Sequence, residues 1–302
     1  MPIAAVVLRF DPTIRFGELV LRLETLGFAV AILASLAVAG LIVRRPAAWW
    51  SAGGRLDVAA LRVDDLFFVV LAAIPGAVAG GRIGYALLHL DYYLANPGAL
   101  VDPAQGSLEL GLAVIGGALT GGYAARLLTR SAGLWFHAAA LPTLLAIGIG
   151  KAAMVLGGSG QGAPASAAWA IAYAGPGPWG SLGANVPSHP AQLYEAMAAG
   201  FVLLLVLASA AAGGFVRRDG RAWLAAIGGW AAARVVIAAT WRDTTVVGPL
   251  RAGQLLAIAI VVGCSVAWWA VGRRREESRT EGSRADEPGI PRWPEPQNRP
   301  RF

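Results

Sequence analysis

Lysine occurs once in this chain, at Lys151, cysteine once, at Cys264, and histidine only at His89, His137 and His189. One cysteine excludes an intramolecular disulfide and any cysteine cluster for a metal, and three scattered histidines argue against a histidine metal site. Charged residues make up only 14% of 302, too few for the solvated surface of an ordinary soluble domain. No nucleic-acid motif accompanies the net charge of +7, so anionic lipid is the better explanation of it. Met1 to Phe16 includes Arg9, Asp11 and Arg15 and has no short apolar core followed by a cleavage site. It is therefore not expected to act as a cleaved signal peptide, and insertion is expected through the first apolar run.

What is present is apolar surface: 56% hydrophobic residues and 39 glycines. Runs near 24–43, 66–88, 108–128, 135–157, 193–213, 222–240 and 252–272 each approach the roughly 20 residues that cross about 30 Å of hydrocarbon. They predict an all-α polytopic membrane protein of seven transmembrane helices. The third and fourth runs are glycine-rich enough to be bent or partly re-entrant. Arg44, Arg45, Arg55 and Arg62 follow the first run, Arg126 and Arg130 the third, and Arg217, Arg218 and Arg221 the fifth. The loops Asp91–Glu109 and Gly158–Pro190 have no Lys or Arg. By the positive-inside rule the N-terminus is outside and the C-terminus cytoplasmic, with Arg9, Arg15, Arg22, Arg242 and Arg251 against the trend. Residues 1–272 read as one membrane domain with an outer loop at 158–190. Residues 273–302 have the composition of a disordered cytoplasmic tail, with Arg273 to Arg275 at anionic headgroups.

Three basic residues remain inside the runs: Arg82, Lys151 and Arg234. Each falls near the outer end of a run that leads from inside to outside, so all three lie roughly 9 Å below the outer boundary. Each could snorkel independently. Three cations at one level on three helices are better explained by a shared anion, since burying one costs about 3 kcal/mol even on lenient scales. Glu195 is the nearest protein counter-ion, and the other natural partner is a lipid phosphate. GAVAGGRIG (76–84) and GGALTGG (116–122) place small residues where helix backbones can approach closely.

GRIGYALLHLDYYLANP (81–97), IGGALTGG (115–122), IGKAAMVLGGSGQG (149–162), HPAQLYEAM (189–197) and Arg234 followed by RAGQ (251–254) resemble, in order, the prolipoprotein diacylglyceryl transferase family. The resemblance covers about residues 18–272. It implies a seven-span protein of the bacterial plasma (inner) membrane that uses no metal or organic cofactor. It also implies transfer of a diacylglyceryl group from phosphatidylglycerol to the lipobox cysteine of a preprolipoprotein, with release of glycerol phosphate. The implied partners are phosphatidylglycerol or another anionic phospholipid and the preprolipoprotein signal peptide.

The chain departs from the family at several motif positions. Ile115-Gly116-Gly117 stands where the family has His-Gly-Gly. Lys151 aligns with an arginine, Met154 with an asparagine and Ser159 with an acid, while Gly158 and Gly162 are retained. Arg234 matches the family's late arginine, but the acid expected one turn later is Ala238. Lysine keeps the charge and loses the bidentate fork. The candidate catalytic residues are His189 as base, Arg234 and Tyr85. The implied headgroup contacts are Lys151, Arg82, Arg234, Gly116, Gly117, Gly158, Gly162, Tyr194 and Glu195. The plainer reading of His189 is that it caps or orients its loop, and that of Tyr194 is an interfacial anchor. His137 lies near the inner face as a structural residue. The alternative to a transferase is a non-catalytic phospholipid-binding membrane protein that keeps the fold and has lost thiol activation.

Overall fold

The computed structural model describes residues 5–44, 62–102, 108–129, 132–175, 179–180, 182–243 and 245–286. Among them seven helices are long and apolar enough to cross a membrane. These are α1 (Leu23–Arg44), α2 (Val63–Leu88), α4 (Leu110–Thr129), α5 (Ala132–Ala153), α6 (Ala191–Ala211), α7 (Arg221–Ile237) and α8 (Ala252–Asp286), with a short α3 (Leu90–Ala95) between α2 and α4. The chain is a multi-pass membrane protein. The spanning stretches of its helices are predominantly apolar, as crossing hydrocarbon requires. Leu33, Leu119, Leu204 and Trp269 face outward, while Leu144, Ile227 and Trp230 fill the centre between α5, α6, α7 and α8.

The closest helix pair is α2 with α4, and its glycines explain it. A Cβ built on Gly116 would lie 2.1 Å from the Gly76 carbonyl oxygen, and one on Gly80 2.2 Å from that of Leu112. Backbones touch there because no side chain intervenes. The re-entry expected of the third and fourth runs does not occur. Both are continuous helices, and the glycines of α4 serve its contact with α2. Gly116→Ala is expected to cost about 1–3 kcal/mol by overpacking, read as a lower thermal midpoint. Gly40→Ala, inside α1 with nothing within 4 Å of its built Cβ, should not lower the midpoint, since alanine is the better helix former.

Alternating helices bring the starts of α1, α4, α6 and α8 to the same end as the ends of α2, α5 and α7. Arg44, Arg62, Arg126, Arg217, Arg218 and Arg221 belong to the opposite end; Arg45, Arg55 and Arg130 lie outside the described residues. The first end is capped by three two-stranded sheets that the apolar pattern does not announce. β1 (Val6–Arg9) pairs in parallel with β4 (Ile171–Ala174), β2 (Thr13–Phe16) forms a hairpin with β3 (Leu19–Arg22), and β5 (Thr245–Val247) pairs with β6 (Leu250–Arg251). The described part of the 158–190 segment is fastened rather than loose. Ile171 N donates to Ser188 O at 3.0 Å and His189 N to Ala163 O at 3.0 Å.

One boundary differs from the sequence expectation. Helix α8 continues to Asp286, into the stretch expected to be disordered from 273. Its composition there, rich in Arg and Glu, favours helix. Residues 287–302 lie outside the described residues.

Candidate functional site

Four charged side chains meet beneath the cap. Lys151, in the last turn of α5, places Nζ 3.0 Å from Glu195 Oε2 of α6. Arg234, in the last turn of α7, directs Nε toward the other oxygen of Glu195 at 3.8 Å and Nη1 toward Glu109 Oε1 at 2.8 Å. Glu195, Arg234 and Glu109 are buried, at 0%, 3% and 4% exposure. Isolated charges at such depth would be untenable, and alternating signs make the set tolerable. Two cations face two carboxylates, so the cluster is internally neutral.

Aromatic rings close the set. The Trp241 ring centroid lies 5.6 Å from Lys151 Nζ and 4.8 Å from the Arg234 guanidinium carbon, and that of Trp230 lies 5.2 Å from the same carbon. Such cation–π contacts gain strength out of water. Trp241 is held by Arg251, which donates to the carbonyls of Trp241 and Asp243. Gln254 ties the same turn to α7, accepting from Arg251 N at 2.9 Å and donating to Val235 O at 3.0 Å. The RAGQ turn thus positions the ring between the two cations.

Glu109 was not among the residues expected at the site, because it reads as the last residue of an outer loop. Its carboxylate caps α4, accepting from Gly111 N at 2.8 Å and Leu112 N at 2.7 Å, and an anion is favoured at a helix N-terminus. Its own N–H donates to Gly81 O at 2.9 Å. The signal for it was an acid at the start of a span, at the level of three cations.

Arg82 is engaged elsewhere. Its guanidinium donates to the carbonyls of Leu100 at 2.8 Å, Ala99 at 2.6 Å and Asp102 at 2.7 Å. It also lies 5.9 Å from the Tyr93 ring centroid. Tyr85 joins that side, stacked on His89 at 4.2 Å and edge-on to Tyr93 at 6.3 Å. GRIGY thus supplies an arginine that grips the turn just after DYYLANP, at residues 99–102. The expectation that three cations converge on one anion is met for Lys151 and Arg234, through Glu195, and not for Arg82. A flexible guanidinium beside a turn with open carbonyls satisfies its donors locally.

Gly116 and Gly117, expected at a headgroup, lie in the α2 contact; a Cβ on Gly117 would sit 3.2 Å from Ala73 O. Gly158 adopts φ +73°, which glycine tolerates, beside Trp179. A Cβ on Gly162 would meet Thr240 O at 2.5 Å and His189 Cβ at 2.9 Å, so this glycine lets the loop lie between α6 and the end of α7. HPAQLYE joins that loop to the charges. His189 Nδ1 is 3.4 Å from the Tyr194 hydroxyl, which accepts from Trp169 Nε1 at 2.7 Å. Gln192 Nε2 lies 3.4 Å from the Tyr173 hydroxyl, whose proton burial holds, with the phenol pushed up to about 12. Gln192 is buried, and among the described residues its Oε1 has no hydrogen-bond partner, nor does Trp230 Nε1. An acceptor and a donor therefore remain for a bound polar molecule or water. His137 is buried in α5 at the opposite end of the bundle.

The family model of prolipoprotein diacylglyceryl transferase matches residues 13–270. The chain belongs to the prolipoprotein diacylglyceryl transferase family. It is 32% identical over 199 residues to the phosphatidylglycerol–prolipoprotein diacylglyceryl transferase of Geobacter sulfurreducens, covering 65% of this chain and 70% of that protein. It is 34% identical over 203 residues to the enzymes of the same name from Brucella canis and Brucella suis, covering 65% of this chain and 66% of theirs. The chain thus spans about two thirds of the length of the Brucella relatives. Ile115 lines an apolar groove with Leu112, Trp223 and Ile260, so no base stands there. Ala238, one turn beyond Arg234, is fully buried, and Arg234 pairs with Glu109.

Proposed function

We propose that this chain transfers the diacylglyceryl group of phosphatidylglycerol to the lipobox cysteine of a preprolipoprotein, in a bacterial plasma membrane, with its N-terminus outside and its C-terminus cytoplasmic. The observation that carries this reading is the buried Lys151–Glu195–Arg234–Glu109 set in a chain of this family. It offers two fixed cations beside carboxylates that prevent their cost when the site is empty.

In the reaction the thiol sulfur attacks the glyceryl carbon, a C–S bond forms, and the C–O bond to phosphate breaks. Glycerol phosphate leaves with the electron pair. The thiolate is the attacking species, so the thiol proton must go to a base. His189 is proposed for that role, half-buried and beside Tyr194. Lys151 and Arg234 stabilise the negative charge that develops on the departing phosphate. Two apolar grooves flank α4, one of about 520 Å³ against α7 and α8 and one of about 480 Å³ against α1, α2 and α5. They are suited to the acyl chains.

The test is release of glycerol phosphate from phosphatidylglycerol by the purified protein with a lipobox peptide. Binding of phosphatidylglycerol without release would support the non-catalytic lipid-binding reading, which Ile115 in the apolar groove favours. If transfer occurs, His189→Gln should lower turnover by about 10²-fold or more while leaving lipid binding unchanged. Turnover at the wild-type rate would remove His189 from the mechanism. Cysteines introduced near Gly180 and near Arg218 should label from outside and inside respectively. Labelling of both from one side would rule out this orientation.

A further inference from the structure

Gln192, in the first turn of α6, is 2% exposed and lies one helical turn nearer the cap than Glu195. Its neighbours fix which way the amide points. The Tyr173 hydroxyl gives its only proton to Val155 O, at 2.9 Å, so toward Gln192 it can only accept. The amide nitrogen therefore faces Tyr173, at 3.4 Å, and Oε1 is turned away from it. Among the described residues Oε1 has no hydrogen-bond partner. A buried acceptor in that state is costly unless a donor reaches it from outside the chain.

The surroundings of Oε1 point to the molecule that brings the donor. Three residues of helix separate Gln192 from Glu195, which places it roughly 4.5 Å capward of the contacts that Glu195 makes with Lys151 and Arg234. A phospholipid whose phosphate meets those two cations, with its acyl chains along the helices, directs its headgroup toward the cap. In phosphatidylglycerol that headgroup has its first free hydroxyl on the second carbon beyond the phosphate ester oxygen, within reach of an acceptor one turn away. Met154 is the side chain that can yield there. A Cβ built on Gly160 would lie 2.7 Å from the terminal methyl of Met154 and 3.5 Å from Gln192 Cβ, and methionine repacks readily.

We propose that Gln192 is a specificity-determining residue: its Oε1 accepts a hydrogen bond from a headgroup hydroxyl of the bound anionic phospholipid, so that a phosphodiester bearing a polyol is preferred to one without hydroxyls. Lys151 and Arg234 cannot make that distinction, since they meet the phosphate whatever alcohol it carries. A buried acceptor can, because an analogue that lacks the hydroxyl leaves it stranded.

The inference rests on the phosphate site proposed above, and lipid binding tests it separately from transfer. The full-length protein is titrated, by native mass spectrometry, with phosphatidylglycerol and with phosphatidylpropanol of the same acyl chains, whose three-carbon headgroup has no hydroxyl. Wild type is expected to bind phosphatidylglycerol about tenfold more tightly, or better. Gln192→Met keeps the volume and removes the acceptor, and it is expected to bind the two lipids within about twofold of each other by losing affinity for phosphatidylglycerol alone. Equal binding of both lipids by wild type would mean that Oε1 is met by water, and it overturns the proposal. A preference retained in Gln192→Met overturns it as well. If Gln192→Met is not recovered folded, Gln192→Asn, which withdraws the acceptor by one carbon, is read by the same criteria. Free glycerol phosphate carries the same hydroxyls. Thermal stabilisation of wild type by glycerol phosphate that Gln192→Met loses, without any lipid preference in wild type, would assign Oε1 to the released product and overturn the lipid assignment. A lipid preference without release of glycerol phosphate from phosphatidylglycerol refutes the transferase reading alone, and release without a preference refutes this one alone.

Discussion

Glu195→Gln is expected to destabilise the protein by about 3–5 kcal/mol, the scale of breaking a buried ion pair from one side. The substitution keeps the volume of a side chain that is fully buried and removes only its charge. Lys151, 3.0 Å away, then has no counter-ion. Arg234 retains Glu109, so the larger part of the loss falls on Lys151. Glu195→Gln/Lys151→Met should therefore recover much of the stability, because removing both members of a buried pair costs far less than stranding one. Thermal unfolding in detergent without added lipid reads both effects. A Glu195→Gln midpoint equal to wild type would mean that the two cations find other partners, and the balanced set would no longer account for their burial.

How far this arrangement was legible in sequence depends on which force placed each residue. Length and apolarity alone set the spans: the run at 24–43 is helix Leu23–Arg44, and that at 193–213 is Ala191–Ala211. Depth within the spans singled out Lys151 and Arg234, because a basic residue in hydrocarbon needs an anion. Glu195 followed as the nearest acid. Glu109 did not, because its place depends on two facts that sequence periodicity does not carry: the helix N-terminus it caps and the close α2 contact that brings that terminus to Arg234. The same contact misled the reading of Gly116 and Gly117. Small residues look alike in sequence whether they admit a ligand or a neighbouring helix, and only the 2.1 Å approach of Gly76 O to the built Cβ of Gly116 decides it. Arg82 shows the converse. Its depth was read from sequence, but its partners are three main-chain carbonyls, which no residue type signals. The cap strands pair across long separations, β1 with β4, and such pairings have no local signature at four residues each.

Arg234→Lys is expected to reduce transfer by about 10²–10³-fold, the usual consequence of removing one preorganised donor from a developing oxyanion. Charge is kept, so any loss reports geometry. Arg234 turns different nitrogens to different acids, Nη1 to Glu109 at 2.8 Å and Nε toward Glu195 at 3.8 Å. A single ammonium on a flexible stem cannot hold both directions and still face a phosphate. Lys151 makes the opposite case. It reaches one carboxylate oxygen, a task for a point charge, and Lys151→Arg adds the fork that phosphate matches. That variant should bind phosphatidylglycerol at least as well as wild type, whereas Lys151→Ala should weaken binding by roughly 1–3 kcal/mol. The pair of substitutions tells a shared phosphate site from two unrelated buried ion pairs. In the second case Arg234→Lys and Lys151→Ala would alter thermal midpoints alone, and phosphatidylglycerol binding by native mass spectrometry would match wild type in both. Wild-type turnover in Arg234→Lys would likewise show that its fork is not what the departing phosphate meets.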